Sequence, residues 1–193
     1  FDQEWGGKFI ARAGRCAQEF DEAVHASRPQ SWEADCGALR VALDFNVSPG
    51  VAALGQHQDG DDVWFDEVYI PRDSSSVRVA KQILEKTQYI PAGSLVIVYG
   101  DPTGGNSGTA KVLGSDYELI SNVLSEKYVV ELRVRRGTFP EKNRINALNS
   151  RLKTADGTPH TRICPVNCPM LIEDLRKTTW AKDGKSMDKR KKN

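Results

Sequence analysis

The sequence predicts an α/β domain with a mixed sheet, in which a three-strand antiparallel meander is joined by parallel strands and flanked by helices. Three β-type segments, at 38–46, 51–57 and 62–70, are separated only by tight turns, which makes them antiparallel neighbours. Helical and β-type segments then alternate along the rest of the domain. One later strand, at 95–99, is apolar at consecutive positions, as expected of a strand covered on both faces.

The elements after the meander have recognisable start signals. Asp73 or one of the serines at 74–76 can cap a helix that runs to about Gln88, and a strand at 94–100 follows. The segment 115–118 has the capping-box pattern of a helix that ends near Ser125. The remaining elements are expected to be a strand at 128–134, a helix at 140–153, a short strand at 162–166 and a helix at 169–177.

Composition excludes several classes of protein. The chain is 39% apolar and 27% charged, which is typical of an ordinary globular domain and not of a disordered chain. No apolar stretch is long enough to span a bilayer, and the first residues lack the pattern of a signal peptide. Four cysteines are too few for a disulfide framework. These features indicate that the protein acts in a cytosol-like compartment, or that the sequence was excised from a longer chain.

Basic residues are concentrated in one part of the chain, although the net charge is only +1. Segment 127–153 contains eight basic and two acidic residues, which predicts one positive face. A charged segment is often only a solvated surface, but contacts with the DNA backbone are the alternative we favour here. The candidate DNA-binding residues are Arg133, Arg135, Arg136, Lys142, Arg144 and Lys153. For Arg144, the alternative to DNA binding is a structural role.

Two aspartates, Asp44 and Asp101, each follow directly on an apolar β-type run. If the two strands are neighbours with aligned ends, the carboxylates lie close together, and a bound divalent cation would offset their repulsion. Each aspartate alone could instead cap the turn that follows its strand. The pair predicts a metal site.

Particular segments resemble a known family. They are Val41-Ala-Leu-Asp-Phe-Asn-Val-Ser-Pro49, Asp66-Glu-Val-Tyr-Ile70, Tyr99-Gly-Asp-Pro-Thr-Gly104 with Ser107, Ser115-Asp-Tyr117 and Arg144-Ile-Asn-Ala-Leu-Asn149. In this order they resemble the C-terminal nuclease domain of the large terminase subunit of tailed bacteriophages. The order of helices and strands resembles the wider ribonuclease H-like superfamily. The resemblance covers most of the chain.

The resemblance implies a two-metal endonuclease that cuts concatemeric double-stranded DNA at the start and end of packaging. It implies that Asp44 and Asp101 hold two Mg²⁺ or Mn²⁺ ions, with a third acid expected beyond Asn193. Weaker candidates for a metal ligand are Glu67, which would face solvent on an edge-like strand, and Asp116. Expected supporting residues are Asn46, Gly104 and Ser107.

The resemblance also implies a longer protein. Residues 1–37 would lead in from an N-terminal ATPase domain, 38–181 would form the nuclease domain, and 182–193 would be a basic tail cut short before the last catalytic helix. Expected partners are double-stranded DNA, the portal ring and the small terminase subunit, without a membrane. The expected location is the cytoplasm of an infected bacterial host.

Two other functions are alternatives to this one. A junction resolvase or a transposase-type enzyme of the same superfamily is the first, and a DNA-clamping module without catalysis is the second.

The glycine-rich segment 104–109 lacks the Lys-Ser/Thr pair of a P-loop, so a nucleotide site is not expected. His160, Cys164 and Cys168 offer three possible zinc ligands, but their spacing is not that of a familiar zinc site, and buried core thiols are the alternative.

Overall fold

Six strands form one mixed sheet in the computed structural model, which describes residues 14–44, 49–100, 115–134, 137, 140–184 and 186–188. The strands are β1 Leu39–Asp44, β2 Gly50–Gln58, β3 Asp61–Ile70, β4 Leu95–Gly100, β5 Val129–Leu132 and β6 Thr161–Ile163. Their order across the sheet is β5-β4-β1-β2-β3-β6. β1, β2 and β3 are antiparallel, whereas β4, β5 and β6 each pair in parallel with a neighbour. The predicted mixed sheet is confirmed.

Five α-helices lie within the described ranges: α1 Glu22–His25, α2 Ser76–Lys86, α3 Asp116–Leu124, α4 Glu141–Leu152 and α5 Pro169–Lys177. Ser75 caps α2, and the predicted capping box of α3 is present, with Ser115 and Glu118 each accepting from the other's backbone N–H. The sequence predicted neither α1 nor the 3₁₀ helix Ala34–Cys36, because such short helices show no apolar periodicity. None of the described helices could cross a membrane.

The two faces of the sheet are covered differently. α2 and α3 pack on one face, where Leu39, Val41 and Leu43 alternate into a core shared with both helices. A second core lies on the other face beside β3 and β6, and its residues come from α4, α5 and the segment before β1. The intervening residues of β1, which end with the exposed Asp44, point to this second face.

The segment that precedes β1 is anchored to α4. The Asn149 side chain is buried, and its Oδ1 accepts from Glu19 N (3.2 Å) while its Nδ2 donates to Cys16 O (2.9 Å). Nε2 of the buried His25 donates to Leu152 O (2.8 Å), while its Nδ1 lies 2.7 Å from Asp21 O and 3.0 Å from Asp21 N. The described part of 1–37 therefore packs against the domain, while its origin as a lead-in from another domain stays a prediction.

The last described residues lie beside the segment that precedes β1 and beside the start of α4. Arg15 and Thr179 form an antiparallel bridge, in which Cys16 N donates to Thr178 O (2.8 Å). Trp180 and Met187 form a second bridge, and Asp188 N donates to Thr179 O (2.8 Å). Met187 N donates to Glu141 at the start of α4 (2.7 Å). The described part of the predicted tail is therefore a small hairpin packed beside α4.

Candidate active site

The candidate site lies at the edge of the sheet where the parallel strands β1 and β4 end. Leu43 pairs with Gly100, and these are the residues that directly precede Asp44 and Asp101. The chain thus approaches both predicted acids on adjacent, aligned strands, which lie about 4.8 Å apart. We call this edge, where β1, β3, β4 and β5 end, the carboxyl edge. Asp101, Asn46, Gly104, Ser107, Arg135 and Arg136 lie outside the described residues.

The face of the sheet to which Asp44 points carries small side chains next to Asp44. Ala42 pairs with Tyr99 on one side and with Ala53 on the other, and Ala53 pairs with Glu67. Paired residues project to the same face, so two alanines lie between the larger Tyr99 and Glu67 side chains. Among the described residues, the side chains of β1 and β2 on this face next to Asp44 are therefore small.

Glu67 stabilises a helix rather than facing solvent. Its carboxylate accepts from Met170 N and Leu171 N, both at 2.8 Å, at the first turn of α5. Burial raises the pKa of Glu67, and the two backbone hydrogen bonds partly oppose that rise. The expectation that Glu67 faces solvent was wrong, because the first turn of α5 lies against it; β6 pairs with β3 only at Asp62, Val63 and Trp64, before Glu67.

Glu67→Ala is expected to lower the free energy of unfolding by about 1–3 kcal/mol, because it leaves two backbone N–H groups of α5 without an acceptor. Urea unfolding measures the loss. Glu67→Gln keeps one acceptor oxygen and should fall between the parent and the alanine variant. If Glu67 were instead a metal ligand, both variants would lose divalent-cation binding while retaining most of their stability.

Asp116 also has a structural partner. Ser76 Oγ donates to Asp116 Oδ1 (2.6 Å), which joins the first turns of α2 and α3. A carboxylate in the first turn of a helix is stabilised by the helix dipole. This contact accounts for Asp116 without a metal.

The three possible zinc ligands do not form a site together. His160 faces Asp61 through Nδ1 at 3.1 Å, whereas Cys168 Sγ contacts the carbonyl of Trp64 at 3.7 Å. Burial raises the pKa of Cys168, which keeps it a thiol and disfavours metal binding. No cluster of three or more potential ligands for a metal occurs in the described parts of the chain. The alternative of buried core thiols fits Cys164 and Cys168.

The described basic candidates occupy two regions. Arg133 follows β5 at the carboxyl edge, where its N–H donates to Val98 O (2.9 Å) and its side chain pairs with Glu131 (2.5 Å). Lys142 and Arg144 are exposed near the start of α4. Lys153 lies beyond the other end of α4, where Arg151 reaches Gly60 O in the β2–β3 turn (2.9 Å). Of the described candidates, Arg133 therefore lies at the same edge as Asp44.

Two adjoining clefts, of about 340 and 720 Å³, lie between residues 15–25 and the second half of α4 with the chain that follows it. Lys153 lines both clefts, together with Gln18 and Glu19. This region is at the opposite end of β1 from Asp44. Neither of these two clefts is lined by a residue of the carboxyl edge.

The strand order, with helices on both faces and an acid where β1 ends, defines the fold class as ribonuclease H-like. Solved structures with a similar fold include large terminases of bacteriophages. The large terminase of a thermophilic bacteriophage superposes with a TM-score of 0.62 at 13% identity, over 92% of this chain and 42% of that chain. A second crystal form of the same protein gives a TM-score of 0.60 at 13% identity.

The nuclease domain of the g2p large terminase from bacteriophage SPP1, in a structure with bound Mn, superposes with a TM-score of 0.50 at 15% identity. That match covers 81% of this chain and 80% of the SPP1 chain. At these identities the likeness establishes the fold, and the resemblance predicted from the sequence agrees with it. The chain spans only 42% of the thermophilic-phage terminase. No family model and no curated protein matches the sequence.

Proposed function

We propose that this chain is the nuclease domain of a viral DNA-packaging terminase, a metal-dependent endonuclease that cuts concatemeric double-stranded DNA at the start and end of packaging. The observation that carries the proposal is the pairing of Leu43 with Gly100, the residues that directly precede Asp44 and Asp101 in the sequence. The fold shared with terminase structures supports the same reaction class.

The chemistry of the donors fits a divalent cation. Asp44 is an exposed carboxylate, and Mg²⁺ and Mn²⁺ prefer oxygen ligands of this kind. We propose that Asp44 and Asp101 hold two such ions, with a third acid beyond Asn193. When bound, two divalent cations activate a water and stabilise the leaving oxygen of a phosphodiester. The Mn bound in the SPP1 structure supports the choice of ion.

The residues around Asp44 would position the DNA. Because the side chains of Ala42 and Ala53 are small, the backbone of a duplex can approach the carboxyl edge on this face. Arg133, at that edge, binds a phosphate near the one that is cut, and Glu131 keeps its guanidinium in place. The proposed DNA-binding residues remain Arg133, Arg135, Arg136, Lys142, Arg144 and Lys153. Asn46, Gly104 and Ser107 support the site.

The proposal extends to the full protein. An ATPase domain would precede the nuclease domain, and the partners would be the portal and the small terminase subunit. Such a protein would act in the cytoplasm of the infected bacterial host. The 42% coverage of the thermophilic-phage terminase leaves room for these further parts in a protein of that kind.

The test is metal-dependent cutting of plasmid DNA. Because the third acid is expected beyond Asn193, supercoiled plasmid is incubated both with this chain and with the chain extended at its C-terminus. We expect nicked and then linear plasmid in Mn²⁺ or Mg²⁺ and intact plasmid in EDTA. Salt-sensitive retention of DNA without cutting by either protein would refute the endonuclease and favour the DNA-clamping alternative.

A further inference from the structure

A second group of basic residues lies at the carboxyl edge, outside the segment 127–153. Arg72 follows β3, while Arg78 and Lys81 lie one turn apart on the first half of α2, and we call these three residues the Arg72 cluster. Together with Asp73 they give segment 71–81 a net charge of +2.

Strand pairing locates the Arg72 cluster relative to Asp44. Asp44 pairs with Val51, and Val51 pairs with Tyr69, only three residues before Arg72. The loop between β3 and α2 is packed against the start of β2, since a Cβ added to Gly50 would lie 1.8 Å from Ser74 Oγ. The cluster therefore begins beside the carboxyl edge, two strands from Asp44.

The cluster presents charge that is not neutralised nearby. Arg72 and Lys81 are exposed, and neither forms an ion pair within the described ranges. Arg78 differs, because its Nη1 donates to Arg72 O (3.4 Å) and Asp73 O (3.1 Å) and so braces the loop. Arg72 and Lys81 are thus available to a ligand, and Arg78 holds the loop that carries Arg72.

The two basic regions lie on either side of Asp44 along the carboxyl edge, and Lys81 is on α2, which packs on the face of the sheet opposite to that of Asp44. Arg133 follows β5, Asp44 ends β1 and Arg72 follows β3, with β4 and β2 lying between them. Neighbouring strands are about 4.8 Å apart, so the edge from β5 to β3 is about 19 Å long with Asp44 at its middle. About 19 Å corresponds to five or six base pairs along a DNA duplex, at 3.4 Å per nucleotide of each strand.

We infer that duplex DNA lies along the carboxyl edge, with its backbone held by Arg133 on the β5 side and by Arg72 and Lys81 on the β3 side. This inference rests on the proposed function and adds a contact surface to it. Contacts on both sides would hold the phosphate between them at Asp44. Such contacts are made to phosphates, so they contribute affinity without sequence preference.

The test is the salt dependence of binding to a short duplex, measured with this chain in EDTA so that DNA is not cut. Arg72→Ala combined with Lys81→Ala is expected to weaken binding and to reduce the slope of log K against log salt by about 1.8, or about 0.9 for each phosphate that is no longer neutralised. Both side chains are exposed, so the variant should fold like the parent. Arg78 is left intact because it braces the loop.

Arg28→Ala is the matched control. Arg28 is exposed and follows His25, whose contact with Leu152 lies at the opposite end of β1 from Asp44. We expect parental affinity and slope for this variant. Equal slopes for the double variant and the parent, or an equal loss for Arg28→Ala, would overturn the inference while metal-dependent cutting by the parent stands. Failure of both this chain and its C-terminally extended form to cut or retain DNA would overturn the proposed function itself.

Discussion

Asp44→Asn is expected to reduce metal-dependent DNA cutting by more than about 100-fold, since even residues that only orient a metal ligand contribute about 10–100-fold. The substitution removes a negatively charged ligand and preserves the size of the side chain. Asp44 is exposed at the end of β1, so stability without metal should not change. Initial rates of plasmid nicking in Mn²⁺ measure the effect, and Asp101→Asn should behave in the same way.

A second measurement separates impaired metal binding from other causes of reduced activity. An ion that binds the folded state raises its melting temperature, so Mn²⁺ should stabilise the parent and not Asp44→Asn. Asp59→Asn is the control, because Asp59 is an exposed aspartate in the turn at the opposite edge of the sheet, and asparagine tolerates its positive φ of 51°. Parental cutting rates for Asp44→Asn would refute the assignment of the metal site.

Asn149→Ala is expected to lower the free energy of unfolding by about 2–4 kcal/mol. The substitution leaves Glu19 N and Cys16 O without their side-chain partners, and each buried group left unpaired costs about 1–3 kcal/mol. The loss should concentrate in the segment before β1, since Asn149 joins it to α4. Urea unfolding measures the global effect, and amide hydrogen exchange measures the local one at residues 16–26.

Asn146→Ala is the matched control for this prediction. Asn146 is on the same helix but is exposed, so its removal should change the free energy of unfolding by less than about 0.5 kcal/mol. Faster exchange in residues 16–26 is expected for Asn149→Ala alone. Equal exchange in both variants would show that these hydrogen bonds do not hold the segment in place.

Local patterns were sufficient to predict the architecture. The turn at 59–60, the capping box at Ser115 and the apolar run at 95–99 each depend on neighbouring residues only, and each corresponds to an observed feature. The predicted proximity of the two strand ends is also met, because Leu43 pairs with Gly100. Metal binding by Asp44 and Asp101 stays a prediction.

The roles that the sequence did not predict depend on partners distant in the chain. Glu67 contacts an α5 that starts more than 100 residues later, and Asn149 contacts residues about 130 positions earlier. No spacing rule connects such residues, although Asn149 belongs to the segment 144–149 that carried the family resemblance. The DNA contacts that we infer for Arg72 and Lys81 also have no signal in the sequence, since two isolated basic residues do not form a charged segment.

The bridges at Arg15, Thr179 and Asp188 determine how the domain can be attached to anything else. Gly14 O accepts from Trp180 N (3.0 Å), and Thr179 O accepts from Asp188 N (2.8 Å), so the two ends of the described chain lie side by side. A partner that bound both ends of the described chain would therefore hold the domain at a single place on its surface. A domain held in this way can turn as one body about that point, and the carboxyl edge would change its orientation without any change in the fold.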